Sequence, residues 1–250
     1  MPPVTIREMH TPSRSATITL IFDGDDTLWQ TMPLYSRSKG RFFTFMEKLG
    51  FEKEEVESVF ERQDAKNVDR WGFTVERFRQ SMVQVLEEFL HIRGEIPRPV
   101  QVEQVSRIAT SVSRNKTRRT PGAHATLRLL NTKYRMVLLT KGEYALQERR
   151  VSQSGFADFF EAVFIVEHKD RSSFERICED LALDVRSTWS VGDSLRSDIK
   201  PALAAGLGAF WIPQQTWSYE NDSEEHHRRL VRLRTISELP RAMRKVEQLQ

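Results

Sequence analysis

The chain is 250 residues long and 29.2 kDa, with 39% hydrophobic and 29% charged residues. That supplies a sizeable core for one large domain or a domain carrying an insertion, and it excludes a disulfide-stapled module and wholesale disorder. A net charge of +3 with a pI near 9.1 does not argue for nucleic acid as a partner, and no apolar run approaches the roughly 20 residues of a membrane helix.

In chain order, the opening residues carry Arg7, Glu8, His10 and Arg14 and no apolar leader core, so no secretory signal is expected. Thr17 to Phe22 is short, apolar and β-branched and runs into Asp-Gly, which predicts a buried strand that stops abruptly. From about Leu34 to Asn115 only helical spacing is present. Phe42, Phe45, Met46 and Leu49 mark one face; Val56, Val59 and Phe60 a second. Val75, Phe78, Met82, Val85, Leu86 and Phe89 mark a third, and Val102, Val105, Ile108 and Val112 a fourth. Gly50, Gly72, and Gly94 with Pro97 and Pro99 separate them.

Strands then return between helices. A helix is expected from Pro121-Gly122 to about Thr132, a strand over Tyr134 to Thr140 and a helix over Tyr144 to Ser154 closed by Gly155. A strand over Ala162 to Val166 and a helix over Ser172 to Leu181 follow. The helix holds the single cysteine, Cys178, which reads as a core residue; a chain without a disulfide fits a reducing, cytoplasmic compartment. A strand over Thr188 to Val191, a helix over Ile199 to Ala205 and a strand over Ala209 to Ile212 complete the alternation. The last stretch is helical and polar, with a short strand around Leu230 to Ile236. The pattern predicts an α/β fold: a Rossmann-like parallel sheet built from residues 1–33 and 116–250, with an α-helical domain, residues 34–115, inserted after the first strand. The insertion would lie over the carboxyl ends of the strands, where open α/β sheets bind ligands.

Four polar clusters fall at that edge. Asp23 and Asp25 flank Gly24 and point the same way in extended backbone; Asp26 and Thr27 follow. Thr140-Lys141-Gly142 ends the second strand, His168-Lys169-Asp170 follows the third, and Gly192-Asp193 closes the fourth, with Asp198 five residues on. Each has a plain structural reading, as a turn, a helix cap or a surface lysine. Together they gather carboxylates that would repel without a cation, and oxygen ligands without His or Cys suit Mg²⁺. A carboxylate nucleophile beside a cation, a Lys and a hydroxyl points to phosphoryl transfer.

These stretches resemble the haloacid dehalogenase superfamily, in its phosphoglycolate-phosphatase-like branch with a helical cap. FDGDDTL, VLLT, Lys169 and GDSLRSD match its four motifs in order, over roughly Thr17 to Pro213. The resemblance implies a Mg²⁺-dependent phosphatase for a small phosphorylated metabolite. Asp23 would be the nucleophile and Asp25 the acid and base, with Thr140 on the phosphoryl group and Lys169 neutralising charge. Metal would be held by Asp23, the Asp25 backbone carbonyl and Asp193, supported by Asp198, and the Thr27 hydroxyl would orient the Asp25 loop. Asp26 stands where many relatives have Gly, and Lys141, where many have Asn, is a rival for the Lys169 role. Arg70, Trp71 and Arg77, flanking Gly72, are candidates for reaching a substrate. A monomer or homodimer is the default. A sugar-phosphate mutase and a non-catalytic phosphate-binding regulator are the alternatives. The basic stretches Arg114 to Arg119 and Arg228 to Arg234 read first as solvated faces or connectors.

Overall fold

The computed structural model describes residues 18–214 and 226–248; the opening residues and Thr17 lie outside that range. Among the described residues the chain divides into two compact units: Met32–Lys116, and the residues before Thr31 and after Thr117 inclusive.

The larger unit is built on a six-stranded sheet. In chain order its strands are β1 (Thr19–Phe22), β4 (Arg135–Lys141), β5 (Ala162–Val166), β6 (Thr188–Gly192), β7 (Gly208–Trp211) and β8 (Leu230–Arg232). The spatial order is β5-β4-β1-β6-β7-β8, and every pairing is parallel. A two-residue strand β2 (Trp29–Gln30) pairs antiparallel with β3 (Arg118–Arg119). This ties together the two places where the chain leaves and re-enters the unit.

The central strands are apolar along most of their length because both sheet faces are covered there. Leu20, Phe22, Leu138, Val191 and Phe210 pack on one side with Leu127 of α5 (Ala123–Leu130), Val151 of α6 (Tyr144–Ser154) and Met243 of α9 (Leu239–Glu247). The alternate residues Ile21, Val137, Leu139 and Phe164 face the other side, against Phe174, Ile177 and Cys178 of α7 (Arg171–Asp180) and Ala202 of α8 (Lys200–Ala204). Phe22, fully buried, sits at the centre, where truncation to Ala costs about 3–5 kcal/mol.

The expected helix over Ile199 to Ala205 is preceded by a π-helical turn, Leu195–Ile199, and α8 begins only at Lys200. Ser194 accepts from the Ser197 amide at 3.0 Å, and Asp198 turns back to accept from the Ser194 amide at 3.0 Å. The wider turn lets Asp198 face the sheet edge rather than cap the next helix.

The other unit holds α1 (Met32–Lys48), α2 (Lys53–Trp71), α3 (Val75–Ile92) and α4 (Pro99–Arg114). Its core is aromatic: Phe60 meets Phe78 edge-on at 5.9 Å and lies 6.2 Å from Phe42, while Phe51 meets Phe89 at 5.0 Å. A buried polar seam crosses it, with Asn67 donating to Ser81 Oγ at 2.9 Å and to Gln84 Oε1 at 2.8 Å.

Two arginines of the basic stretches act as internal staples. Arg119 donates to the Ser154 carbonyl at 2.7 Å, over the end of α6, and stacks on Phe156. Arg229 donates to the carbonyls of Gly206 and Arg186 at 2.7 and 2.6 Å and lies over Trp189.

Candidate functional site

The strand order changes direction at β1: successive strands run outward to β4 and β5 on one side and to β6, β7 and β8 on the other. Loops leaving β1 and β6 therefore part at their carboxyl ends and open a crevice there. Asp23 follows β1 and Asp193 follows β6. The Asp23 amide extends the ladder by donating to the Val191 carbonyl at 2.8 Å, so the two carboxylates leave the sheet side by side. Thr140 is the penultimate residue of β4, and Lys169 lies in the loop between β5 and α7, two residues before the helix.

Lys169 is the bridge. Its Nζ donates to Asp23 Oδ1 at 2.6 Å and to Asp198 Oδ1 at 2.7 Å, with the side chain buried. Burial alone pulls the Lys169 ammonium down, but Asp198 and Asp23 outweigh it and hold the group above its ordinary value. Lys141 takes no part in that bridge: its Nζ donates to Ser197 Oγ at 2.6 Å. His168 is exposed.

Asp23, Asp193 and Asp198 are all buried, and oxygens from the three lie within 4.8 Å of one another. Burial pushes the Asp23 carboxyl up to about 7, against the pull of Lys169. Burial, then Asp23 and Asp198, push Asp193 up as well. Three carboxylates against one ammonium leave two negative charges, the charge a divalent cation offsets. Asp23 Oδ2 is buried without a hydrogen-bond partner. An orphaned carboxylate oxygen in such a cluster fits a divalent metal, with hard oxygen donors as the ligand set. Gly192 is required here, because a Cβ would run into the Asp198 side chain.

The Thr27 hydroxyl reaches Asp193 Oδ1 at 3.3 Å, so it ties the loop to β6 rather than acting within it. Asp26 holds φ 62. Its carboxylate accepts from the Thr31 amide at 2.8 Å and the Thr31 hydroxyl at 2.5 Å, and so braces the loop instead of joining the three carboxylates. The Thr140 hydroxyl is fully buried and without a partner.

Asp25 Oδ1 accepts from Trp29 Nε1 at 2.6 Å; Oδ2 accepts from Gln147 Nε2 at 2.9 Å and Arg150 Nη1 at 2.5 Å. Its side chain is thus not among the three clustered carboxylates. Gln147 and Arg150 were not singled out in the sequence. Their signal was two polar residues in the buried stripe Leu146, Gln147, Arg150, Val151 and Ser154 of α6.

The structure corrects one substrate candidate. Arg77 is buried inside the helical unit, paired with the fully buried Asp64 and lying over Phe78, because its position in α3 faces α2. Arg70 and Trp71 are exposed and stacked, with the guanidinium 4.7 Å from the ring. No helix among the described residues is long and apolar enough to cross a membrane.

The family model described as haloacid dehalogenase-like hydrolase matches residues 19–206. Two curated relatives are similar over shorter stretches. Pyrimidine 5'-nucleotidase PynA of Streptococcus pneumoniae is 34% identical over 97 residues, 36% of this chain and 41% of that protein. Pyrimidine 5'-nucleotidase YjjG of Escherichia coli is 30% identical over 98 residues, 37% of this chain and 44% of that protein. The matches thus span under half the length of these relatives. A haloacid dehalogenase-like family hydrolase from Xanthomonas campestris superposes with TM-score 0.78 at 24% identity, over 94% of this chain and 97% of that one, which shows the shared fold.

Proposed function

The chain belongs to the haloacid dehalogenase-like hydrolase family, and from that premise we propose that it is a Mg²⁺-dependent phosphatase of a small phosphorylated metabolite, working through an aspartyl-phosphate at Asp23. The observation that carries this reading is the Lys169 bridge: it holds Asp23 Oδ1 and leaves Asp23 Oδ2 buried and unpartnered beside Asp193.

In the first step an Asp23 carboxylate oxygen bonds to phosphorus as the bond to the leaving oxygen breaks, and Asp25 gives that oxygen a proton. In the second, a water oxygen bonds to phosphorus, Asp25 takes the water proton, the Asp23–phosphorus bond breaks and phosphate leaves. The Thr140 hydroxyl, buried without a partner, donates to a phosphoryl oxygen, and Lys169 neutralises charge between nucleophile and phosphate. Asp23, Asp193 and the Asp25 backbone carbonyl would hold Mg²⁺, supported by Asp198; once bound, the ion offsets the charge of the phosphoryl oxygens. The second carboxylate, Asp25, favours phosphorus over carbon–halogen chemistry, because an alkoxide leaving group needs a proton and a halide does not.

The nucleotidase relatives make a nucleoside monophosphate the first substrate class to try. The exposed Arg70 and Trp71 pair remains our candidate for substrate contact. A buried lone thiol, Cys178, supports a reducing, cytoplasmic setting.

The test is hydrolysis of 4-nitrophenyl phosphate and a nucleoside monophosphate panel with Mg²⁺, with EDTA, and with Asp23→Asn. Turnover should need the cation and vanish in the variant. Turnover that survives Asp23→Asn refutes the nucleophile assignment. No turnover in any condition moves weight to a mutase, which a bisphosphate would activate.

A further inference from the structure

We infer that Gln147 and Arg150 are positioning residues for Asp25, and that they make Oδ1 the carboxylate atom that exchanges protons with leaving group and water. The inference rests on the phosphatase reading above. The two residues stand three apart on one face of α6 and are both buried.

Gln147 Nε2 donates to Asp25 Oδ2 and, at 2.9 Å, to the carbonyl of Lys141. Both partners only accept, which fixes the amide's orientation. The carbonyl belongs to the residue after Thr140, so the same side chain links Asp25 to the end of β4. Arg150 Nη1 donates to the same Oδ2 from a side chain only 5% exposed.

A carboxylate oxygen offers two lone pairs. Oδ2 has two donors, one of them charged, and is filled. Oδ1 has one, the Trp29 indole at 2.6 Å, and keeps a lone pair. With both oxygens gripped from three side chains, the carboxylate plane is set. The proton therefore moves at Oδ1: from Oδ1 to the leaving oxygen as the Asp23–phosphorus bond forms, and back to Oδ1 from water as that bond breaks.

A plain structural ion pair predicts equal losses on every ester. Positioning of the acid predicts losses graded by the leaving group. A 4-nitrophenolate leaves with little protonation, whereas the alkoxide of 2-glycerophosphate needs it, and kcat/KM reports the step in which the leaving group departs. The experiment compares kcat/KM on the two esters for the unaltered protein, Asp25→Asn, Arg150→Met, Arg150→Lys and Gln147→Met, with a thermal unfolding check on each. A positioned general acid contributes about 10²–10⁴-fold. We expect the alkyl-to-aryl ratio to fall about 10-fold or more in Arg150→Met and Gln147→Met, in the direction of Asp25→Asn, with part restored by Arg150→Lys. Gln147→Met removes no charge and keeps the test open if Arg150→Met does not fold. An unchanged ratio, or equal falls on both esters, overturns the inference alone. No turnover of either ester by the unaltered protein overturns the phosphatase reading and the inference with it.

Discussion

Neutralising Asp23, the proposed nucleophile, should stabilise the metal-free protein, and by an amount that grows with pH. Burial lifts the Asp23 carboxyl from 3.8 to about 7, against the pull of Lys169. A carboxyl whose folded-state value lies above its unfolded one favours the folded state while it is protonated. That contribution is complete below about pH 3.8 and is lost as pH climbs through about 7. At about 1.4 kcal/mol per pH unit, a rise of about three units makes the cost of ionising Asp23 in the fold about 4 kcal/mol at neutral pH. Asp23→Asn keeps the shape and removes the charge. In EDTA, its stability relative to the unaltered protein should rise by about 4 kcal/mol between pH 4 and pH 8. Added Mg²⁺ should shrink the gap at pH 8, because a cation held by the proposed Asp23 and Asp193 site would stabilise the unaltered folded state by mass action. Urea unfolding at several pH values, with and without Mg²⁺, measures both differences. A flat difference across pH in EDTA, or a gap that Mg²⁺ leaves unchanged, would refute the account of a buried, under-neutralised carboxylate cluster. Because the variant is compared with its parent at each pH, titration of exposed acids such as Glu238 and Asp170, whose values are lowered by local donors, cancels.

Two further expectations follow from the same contacts. Arg77→Met leaves the fully buried Asp64 without its cation inside the helical unit and should cost about 3–5 kcal/mol; double substitution of Arg77 and Asp64 by apolar residues should recover most of it in urea unfolding, and a loss under 1 kcal/mol for the single change would sink the pair's structural role. Gly192→Ala drives a methyl group into Asp198; overpacking of about 1–3 kcal/mol should accompany a fall in kcat of about 10²-fold through displacement of Lys169, and unchanged turnover would show that Asp198 does not set the Lys169 position.

The residues by themselves determined the elements and the class of fold. Thr19–Phe22, Arg135–Lys141, Ala162–Val166 and Thr188–Gly192 are strands covered on both faces, so each had to be apolar along most of its length and was readable as such. The four inserted helices pack one face each, so their spacing was readable too. Asp23, Thr140, Lys169 and Asp193 stood out because polar residues follow such runs only where the chain leaves the sheet. What tertiary structure alone decided are partnerships between distant residues. Asp25 meets Gln147 across 122 positions and Arg150 across 125. Arg77 read as a substrate candidate because an arginine is buried only when an acid such as Asp64 is brought to it. Asp198 was placed at the site by its motif, but the π-helical turn that aims it there has no local signal in the sequence. Hydrophobic periodicity is a property of one segment against a generic apolar neighbour; the match of one buried charge to another depends on which segment the fold places beside it.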